Sequence, residues 1–527
     1  MAKLCSLTYS AAEYKQLLHA IEDDYYFEFV TDKLPMWGFV GETKLVSKGS
    51  GSAEEPYLFT HLHFHFAYNG DQLIEATVST DAKLESLLVD PAAPAPAAAG
   101  AGAGTAGASS KPVEFTYSVT WTPTAVTYSN RMEKYAKASF LPMHLEIHWF
   151  SIINSFVTVL LLTGFLATIM MRVLKNDFVK YERDVEAGDD EESGWKMIHG
   201  DVFRFPAQVS LLCSILGVGA QLFALIVAFF LLGVIGVFYG GNRGHAHVAI
   251  IVLYAMTACI SGYVSAAMFR KFQPQGDNSG SSNNNNWVHN VLQTSTLLAL
   301  PFFVVFCFEN TVAVYNGATT ALPFSTILFV ASVWSLVTFP LTVFGAITGR
   351  QRVGPNAEFE APCRTTKFSR EIPPSPDGSV FRRQWFQMIM AGFLPFSAIY
   401  IEIYYIFASV WGHKTYTVYS ILLIVFIILL IVTSFVNIAL TYFTLAAEDH
   451  QWWWKSVFNG GSTGVFVYAY CFWYWWFKAE MEGFLQGCFF FGYMAVVCYA
   501  FFILLGAVGF VASLAFVRYI YSSVHAD

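Results

Sequence analysis

The sequence predicts a polytopic α-helical membrane protein with nine transmembrane helices, preceded by a β-rich domain. Composition is the first sign: of 527 residues, 55% are hydrophobic and 13% charged, against about 25% charged in a soluble globule. Mean hydropathy is +0.47, more apolar surface than water solvates. The third sign is a break in character at Trp149, after which the chain falls into apolar runs long enough to cross a bilayer. Charge is divided in the same way. Residues 1–148 hold 10 Lys/Arg and 17 Asp/Glu, while the rest hold 20 and 21. No basic patch interleaved with aromatics points to nucleic acid, and the acidic balance gives no attraction to anionic lipid.

The first element expected is a short helix over Ala11–Ile21. Aromatic and β-branched residues over Tyr25–Val30, Met36–Val40, Leu58–Tyr68 and Ile74–Ser79 predict strands, and the alternation Phe115, Tyr117, Val119, Trp121 predicts one over Val113–Trp121. Residues 90–110 are almost all Ala, Gly and Pro, a low-complexity linker. The luminal domain is therefore drawn as 1–148, the helical domain as 149–517 and a tail as 518–527. Of eight cysteines only Cys5 lies in the first domain, so that domain forms no internal disulfide, and there is no CxxC pair. The chain opens without the apolar stretch of a signal peptide.

Nine spans follow, at about 149–171, 209–239, 246–268, 290–309, 321–348, 387–410, 417–445, 456–477 and 484–517. Pro301, Pro323, Pro340 and Pro395 fall inside them and predict kinks. The connections after odd-numbered spans carry 17 Lys/Arg and those after even-numbered spans carry three, Arg243, Lys414 and Lys478. The positive-inside rule then makes the odd connections and the C-terminus cytosolic and the first domain luminal. Asn283–Asn286 reads as a low-complexity insertion in a cytosolic loop.

Several groups are candidates for chemistry. His61, His63 and His65 alternate along a predicted strand, so three imidazoles share one face. That face suits copper or zinc, or is a polar outer face with Leu62, Phe64 and Phe66 inside. His144, Glu146 and His148 precede the first span, either as a metal pair one helical turn apart or as a polar collar anchored by Trp149. Glu402 lies inside the sixth span, where a carboxyl is protonated, paired or wetted. It is a candidate client or proton contact, or a staple between helices. Glu309 closes the fourth span at the interface. Glu448, Asp449 and His450 close the seventh, and Trp452-Trp453-Trp454 then read as an interfacial girdle or a gate. No Asp lies inside a span, which excludes a two-Asp intramembrane protease, and no P-loop or membrane His-box set appears. The chain is not expected to be an enzyme, and no cofactor is expected.

Long strings in the chain carry a resemblance: HLEIHWFSIIN at 144–154, MRVLKNDFVK at 171–180, GWKMIHGDVFRFP at 194–206, FEAPCRTTKFSREIP at 359–373, 391–412 and LAAEDHQWWWK at 445–455. With Asp24-Tyr-Tyr-Phe27 and Leu34–Phe39, they closely resemble the transmembrane-nine superfamily, the nonaspanins. The resemblance implies a signal peptide and a longer luminal domain ahead of Met1. It implies a Golgi and endosomal multipass protein that helps localise other membrane proteins, including clients with polar or glycine-rich spans, and a tail that engages vesicle coat proteins. The family's tail signal is Lys-x-Asp/Glu, and here the chain ends His525-Ala526-Asp527, while Phe516, Tyr519 and Tyr521 resemble the family's export-signal region. The runner-up reading is an ion or metal transporter for copper or protons that uses Glu402 as a midplane carboxylate. A third is a luminal module that binds sugars or lipids.

Overall fold

The computed structural model describes the chain outside residues 1, 8, 10, 23–24, 33, 49–50, 81–85, 89–112, 129–130, 132–148, 188–193, 239–243, 273–281, 319–320, 354–358, 367, 374–381, 412–418, 480, 482 and 524–527. The linker 90–110, the trio His144, Glu146 and His148, and the terminal His525 and Asp527 lie outside the described residues. The chain divides into two compact units, 1–143 with 239–243, and 144–238 with 244–527.

In the first unit the described elements are β1 (Ala2–Leu7), α1 (Ala11–Glu22), β2 (Tyr26–Thr31), β3 (Leu34–Phe39), β4 (Gly41–Lys48), β5 (Gly51–Phe59), β6 (His61–Asn69), β7 (Gln72–Ser79), β8 (Ser86–Leu88) and β9 (Val113–Pro123). They form a four-stranded sheet ordered β1-β9-β6-β7, a hairpin β2-β3, and a three-stranded sheet β4-β5-β8. The strand expected over Leu58–Tyr68 breaks at Thr60, because β5 pairs with β4 while β6 pairs with β7 and β9. One core gathers Leu34, Met36, Ala76 and Val78 under Phe27, Phe64 and Phe66, and a second gathers Ile21 and Leu58. The buried Arg131 guanidinium ties the β2–β3 turn to β7, donating to Asp32 Oδ2 at 2.7 Å and to the Leu73 carbonyl at 2.8 Å.

In the second unit the helices are α2 (Trp149–Ala187), α3 (Val209–Ile235), α4 (Gly244–Lys271), α5 (Ser282–Tyr315), α6 (Phe324–Val353), α7 (Gln384–Trp411), α8 (Tyr419–Ala446), α9 (Trp452–Phe477) and α10 (Phe484–Ser522). Eight of these nine described helices are long and apolar enough to span by composition. The ninth, α9, has the length of a span at 26 residues but is rich in Trp, Tyr, Gly, Ser and Thr. Burial against protein explains that composition. Its residues Val457, Asn459–Gly464 and Val467 are buried among neighbouring helices, so few need to be lipophilic. Within α6 the turn Trp334–Thr338 is π-helical, just before Pro340, the local widening that lets a helix pass a proline. Asn283–Asn286 lie in the first turns of α5 rather than in a loop. The apolar run expected at 149–171 lies within α2, which continues to Ala187.

The helices are held by close backbone approach and by polar staples. A Cβ at Gly262 would overlap the Thr342 carbonyl, one at Gly345 the Cys259 carbonyl, and one at Gly349 the Tyr263 carbonyl. The small-xxx-small spacing of Gly345 and Gly349 thus seats α6 directly on the α4 backbone. Between α3, α4 and α5, Ser265 donates to Asn290 Oδ1 at 2.9 Å, Thr294 Oγ1 lies 2.8 Å from the Ser265 hydroxyl and 3.0 Å from the Ser214 hydroxyl, and Asn290 Nδ2 donates to the Ser210 carbonyl at 3.0 Å. All but Ser210 are buried, so each bond replaces hydration that the bilayer core cannot supply.

Candidate functional site

Two features of the helical unit gather the residues that sequence singled out. The first is a groove of about 240 Å³ between α2, α7 and α8. Its walls include Ile153, Phe156, Ile401, Ile424 and Ile428, with Glu402 as the one carboxyl among the lining residues. Ile153 and Ile424 are each 53% exposed, so the groove faces outward from the bundle, whereas Glu402 is 5% exposed. Glu402 lies within α7, nine residues before its last residue, Trp411. Glu309, expected at an interface, is 1% exposed and inside α5. Its carboxyl lies against Gly492 of α10, where any side chain would overlap it.

The second feature is a clamp at the end of the bundle where α2, α4, α6, α8 and α10 finish. Four strings far apart in sequence meet there. The 3₁₀ turn Gly194–Ile198 buries Trp195 and Ile198 in a cluster with Tyr181, Phe203, Phe272, Trp452, Ile520 and Tyr521. The Trp195 ring meets Tyr181 and Tyr521 edge-on at 5.2 and 5.4 Å. Its indole N–H donates to Asp177 Oδ2 at 3.2 Å, and Tyr442 OH donates to the same oxygen at 2.6 Å. Trp452 and Trp453 stack at 4.7 Å, and both indole N–H groups donate to the Val202 carbonyl, at 3.0 and 3.2 Å. That carbonyl thereby uses both of its lone pairs. Trp454 donates to the Ala207 carbonyl at 2.9 Å. Trp452 and Trp453, 1% and 2% exposed, are therefore a seat for the 194–207 loop rather than part of an interfacial girdle, and Trp454 is half-buried beside them.

Asp201 locks the clamp. Its Oδ1 accepts from Arg204 Nη2 at 2.6 Å and from the Thr366 hydroxyl at 3.1 Å, and its Oδ2 accepts the Arg370 amide at 3.1 Å. The Thr366 amide donates to the Gly200 carbonyl at 2.9 Å. Burial pushes the Asp201 carboxyl up, but the bonds from Arg204, the Arg370 amide and Thr366, with the Arg204 charge, outweigh it and hold the group below the usual carboxylate value. Burial also pushes the Cys363 thiol of the same loop up. The sequence singled out neither Asp201 nor Trp195. The signal available was that the strings around them were long and specific.

The remaining candidates have local roles. Glu448 takes a left-handed backbone (φ 60°) and its amide bonds the Leu445 carbonyl at 2.9 Å, so it terminates α8. Asp449 accepts the Gln451 amide at 2.9 Å and pairs with Lys455, and with His450 these residues form the turn into α9. In the tail, α10 runs on to Ser522, Phe516 and Tyr521 are 9% and 3% exposed, and Tyr521 OH donates to the Trp195 carbonyl at 2.5 Å. A linear sorting signal must be reachable, so in the folded protein only Tyr519 of these three, 62% exposed, meets that condition.

In the first unit the alternation of β6 does put His61, His63 and His65 on one face, but that face is engaged. Because β6 and β9 are parallel, each imidazole falls against hydroxyls of the neighbouring strand. His61 bonds Thr116 and Ser118 at 2.8 Å each, His63 bonds Ser118 at 2.6 Å and Thr120 at 3.1 Å, and His65 bonds Thr122 at 3.2 Å. Among the described residues no group of three His, Cys, Asp or Glu converges as a metal site.

Comparison with known proteins places these features in a context. Residues 1–484 match the family model Endomembrane protein 70. The chain is 52% identical over 524 residues to Transmembrane 9 superfamily member 4 of Arabidopsis thaliana, covering 99% of this chain and 83% of that protein. It is 44% identical over 541 residues to Transmembrane 9 superfamily member 1 of Bos taurus and 38% identical over 525 residues to member 5 of Arabidopsis thaliana, with the same coverage in each case. No solved structure matches.

Proposed function

Since the chain belongs to the Endomembrane protein 70 family, the transmembrane 9 superfamily of multipass membrane proteins, we propose that it sorts other membrane proteins by taking one of their helices into the groove between α2, α7 and α8. The observation that carries this reading is the placement of Glu402, a single buried carboxyl in an otherwise apolar groove that faces away from the bundle. Apolar walls alone would not favour a client helix over lipid, because lipid tails are as apolar as leucine. A carboxyl recessed in such a wall does discriminate. It favours a helix that brings a polar side chain, or small residues that let the backbone come close, over a lipid tail that brings neither.

The proposed orientation follows the 17-to-3 excess of Lys/Arg on the odd connections. The clamp then lies in the cytosol and the β-rich unit, drawn at 1–148, in the lumen. The family's name and the resemblance support a Golgi and endosomal location. Coat engagement at the C-terminus is part of the same reading. The role is that of a binding protein, not an enzyme.

The test is Glu402→Leu, which keeps bulk and removes the carboxyl. One polar contact between membrane helices contributes about 0.6–1.7 kcal/mol, so recovery of client proteins by proximity labelling from the C-terminus is expected to fall about three- to eighteen-fold at equal abundance. Surface delivery of those clients should fall with it. Unchanged recovery and delivery would assign Glu402 to structure.

A further inference from the structure

We infer that the junction of α7, α8 and α9 holds one partly dehydrated monovalent cation in a cage of neutral oxygens. Five buried oxygen atoms there meet no hydrogen-bonding group of the protein: Gln384 Oε1, Gln387 Oε1, Thr433 Oγ1, Asn437 Oδ1 and Thr463 Oγ1. Gln387, Thr433, Asn437 and Thr463 are 7%, 2%, 1% and 0% exposed. Isolated oxygens of this kind are scattered over many proteins, but these come from facing turns of three helices that meet at one junction. Helices α7 and α9 run side by side in the same direction, with Gln384 Nε2 donating to Asn459 Oδ1 at 3.1 Å and Gly392, two turns on, packed against Ser462 and Phe466. Helix α8 runs the opposite way, with Asn437 Nδ2 donating to the Ser456 carbonyl at 2.9 Å. Gln384 and Gln387 share one face of α7, Thr433 and Asn437 share one face of α8, and Thr463 follows Asn459 by one turn on α9.

Two further observations fix what kind of occupant suits this place. The amide orientations of Gln384 and Asn437 are set by the bonds their NH₂ groups make, so their carbonyl oxygens are committed as acceptors. The threonines are also unusual. Elsewhere in the spans Thr163, Thr257, Thr294, Thr311, Thr342 and Thr444 each donate to the carbonyl four residues before them. Thr433 and Thr463 do not, and so keep their oxygens for another partner. A surplus of acceptors in a region of low dielectric calls for positive charge. With no carboxylate in the set, the cage offers too little to dehydrate a divalent ion, whereas carbonyl and hydroxyl oxygens replace the hydration shell of Na⁺ or K⁺.

The experiment uses the full chain, purified and placed in lipid nanodiscs. Thermal unfolding is followed in NaCl, KCl and choline chloride at matched ionic strength, and equilibrium binding of ²²Na⁺ and ⁸⁶Rb⁺ is measured on the same samples. One of the two alkali cations should raise the midpoint over choline, saturate, and bind at about one per chain. Thr433→Val and Thr463→Val are near-isosteric and keep the fold, and each should weaken binding about ten-fold, the loss of a single ligand worth about 1.4 kcal/mol. Equal midpoints in all three salts with no bound radiolabel would overturn the inference and leave water as the occupant. Binding that survives both substitutions unchanged would overturn it as well.

Discussion

Replacing Asp201 with alanine is expected to open the clamp at the basic end of the bundle while leaving the spans in place. The substitution removes four bonds to one carboxylate and leaves the Arg204 guanidinium, 31% exposed, without its partner. Hydrogen bonds to a charged group are worth about 1.5–3 kcal/mol, and the half-buried setting puts the loss in that range. Cys363 gives the local readout, since it is a free, half-buried thiol packed against the clamp's aromatic cluster. Peptide mapping after maleimide treatment should show Cys363 slow to label in the native protein and fast in Asp201→Ala. Asp201→Asn should fall between them and shows the sign of the charge. The folded carboxyl sits below its ordinary value of 3.8, so its contribution is complete above that value and is lost as pH falls through the lower folded one. The stability gap between native protein and Asp201→Asn should be full at pH 7 and pH 5 and should close below about pH 4. A gap that widens on acidification would contradict the assignment.

Gly345→Val is expected to have the larger effect on accumulation. At this position α6 lies on the α4 backbone, and the obstacle to a side chain is the Cys259 carbonyl with its own Cα and C behind it. A flexible side chain could swing aside, but a helix backbone moves only with its helix. Overpacking typically costs about 1–3 kcal/mol, and two neighbouring glycine contacts, at Gly262 and Gly349, would be pulled apart with it. Fluorescence-detected size-exclusion chromatography should show loss of the monodisperse peak for Gly345→Val. Gly164→Ala, where nothing lies within 4 Å of an added Cβ, should behave as the native protein.

The helices were legible because a span's constraint is local: about 20 apolar residues must run together whatever the neighbours are. Helix α9 shows how far that extends. Its length announced a span, while its Trp, Gly and Thr content reflects neighbours that sequence does not place beside it. The triple tryptophan was misread for the same reason. An aromatic run at a span end looks alike whether its N–H groups meet headgroups or the Val202 and Ala207 carbonyls, and those acceptors lie about 250 residues away. Tyr521 falls in the tail drawn at 518–527 because apolar content alone does not show that α10 continues to Ser522. The histidine strand was half legible. Alternation put His61, His63 and His65 on one face, but only the parallel pairing with β9 supplied the hydroxyls that occupy it. Glu402 was the candidate sequence could rank highest, since a carboxyl inside a span is conspicuous without any partner. Its position in a groove needed α2 and α8 to be placed.

The most direct measurement of the central claim is photocrosslinking from the groove in intact cells. A photoreactive residue would be installed at Ile424, which lines the groove opposite Glu402 and is exposed, and the adducts mapped by mass spectrometry. Adducts to spanning segments of other membrane proteins, depleted when Glu402→Leu is combined with the probe, are the predicted result. Adducts confined to lipid or to this chain, unaffected by Glu402→Leu, would contradict a client-binding groove.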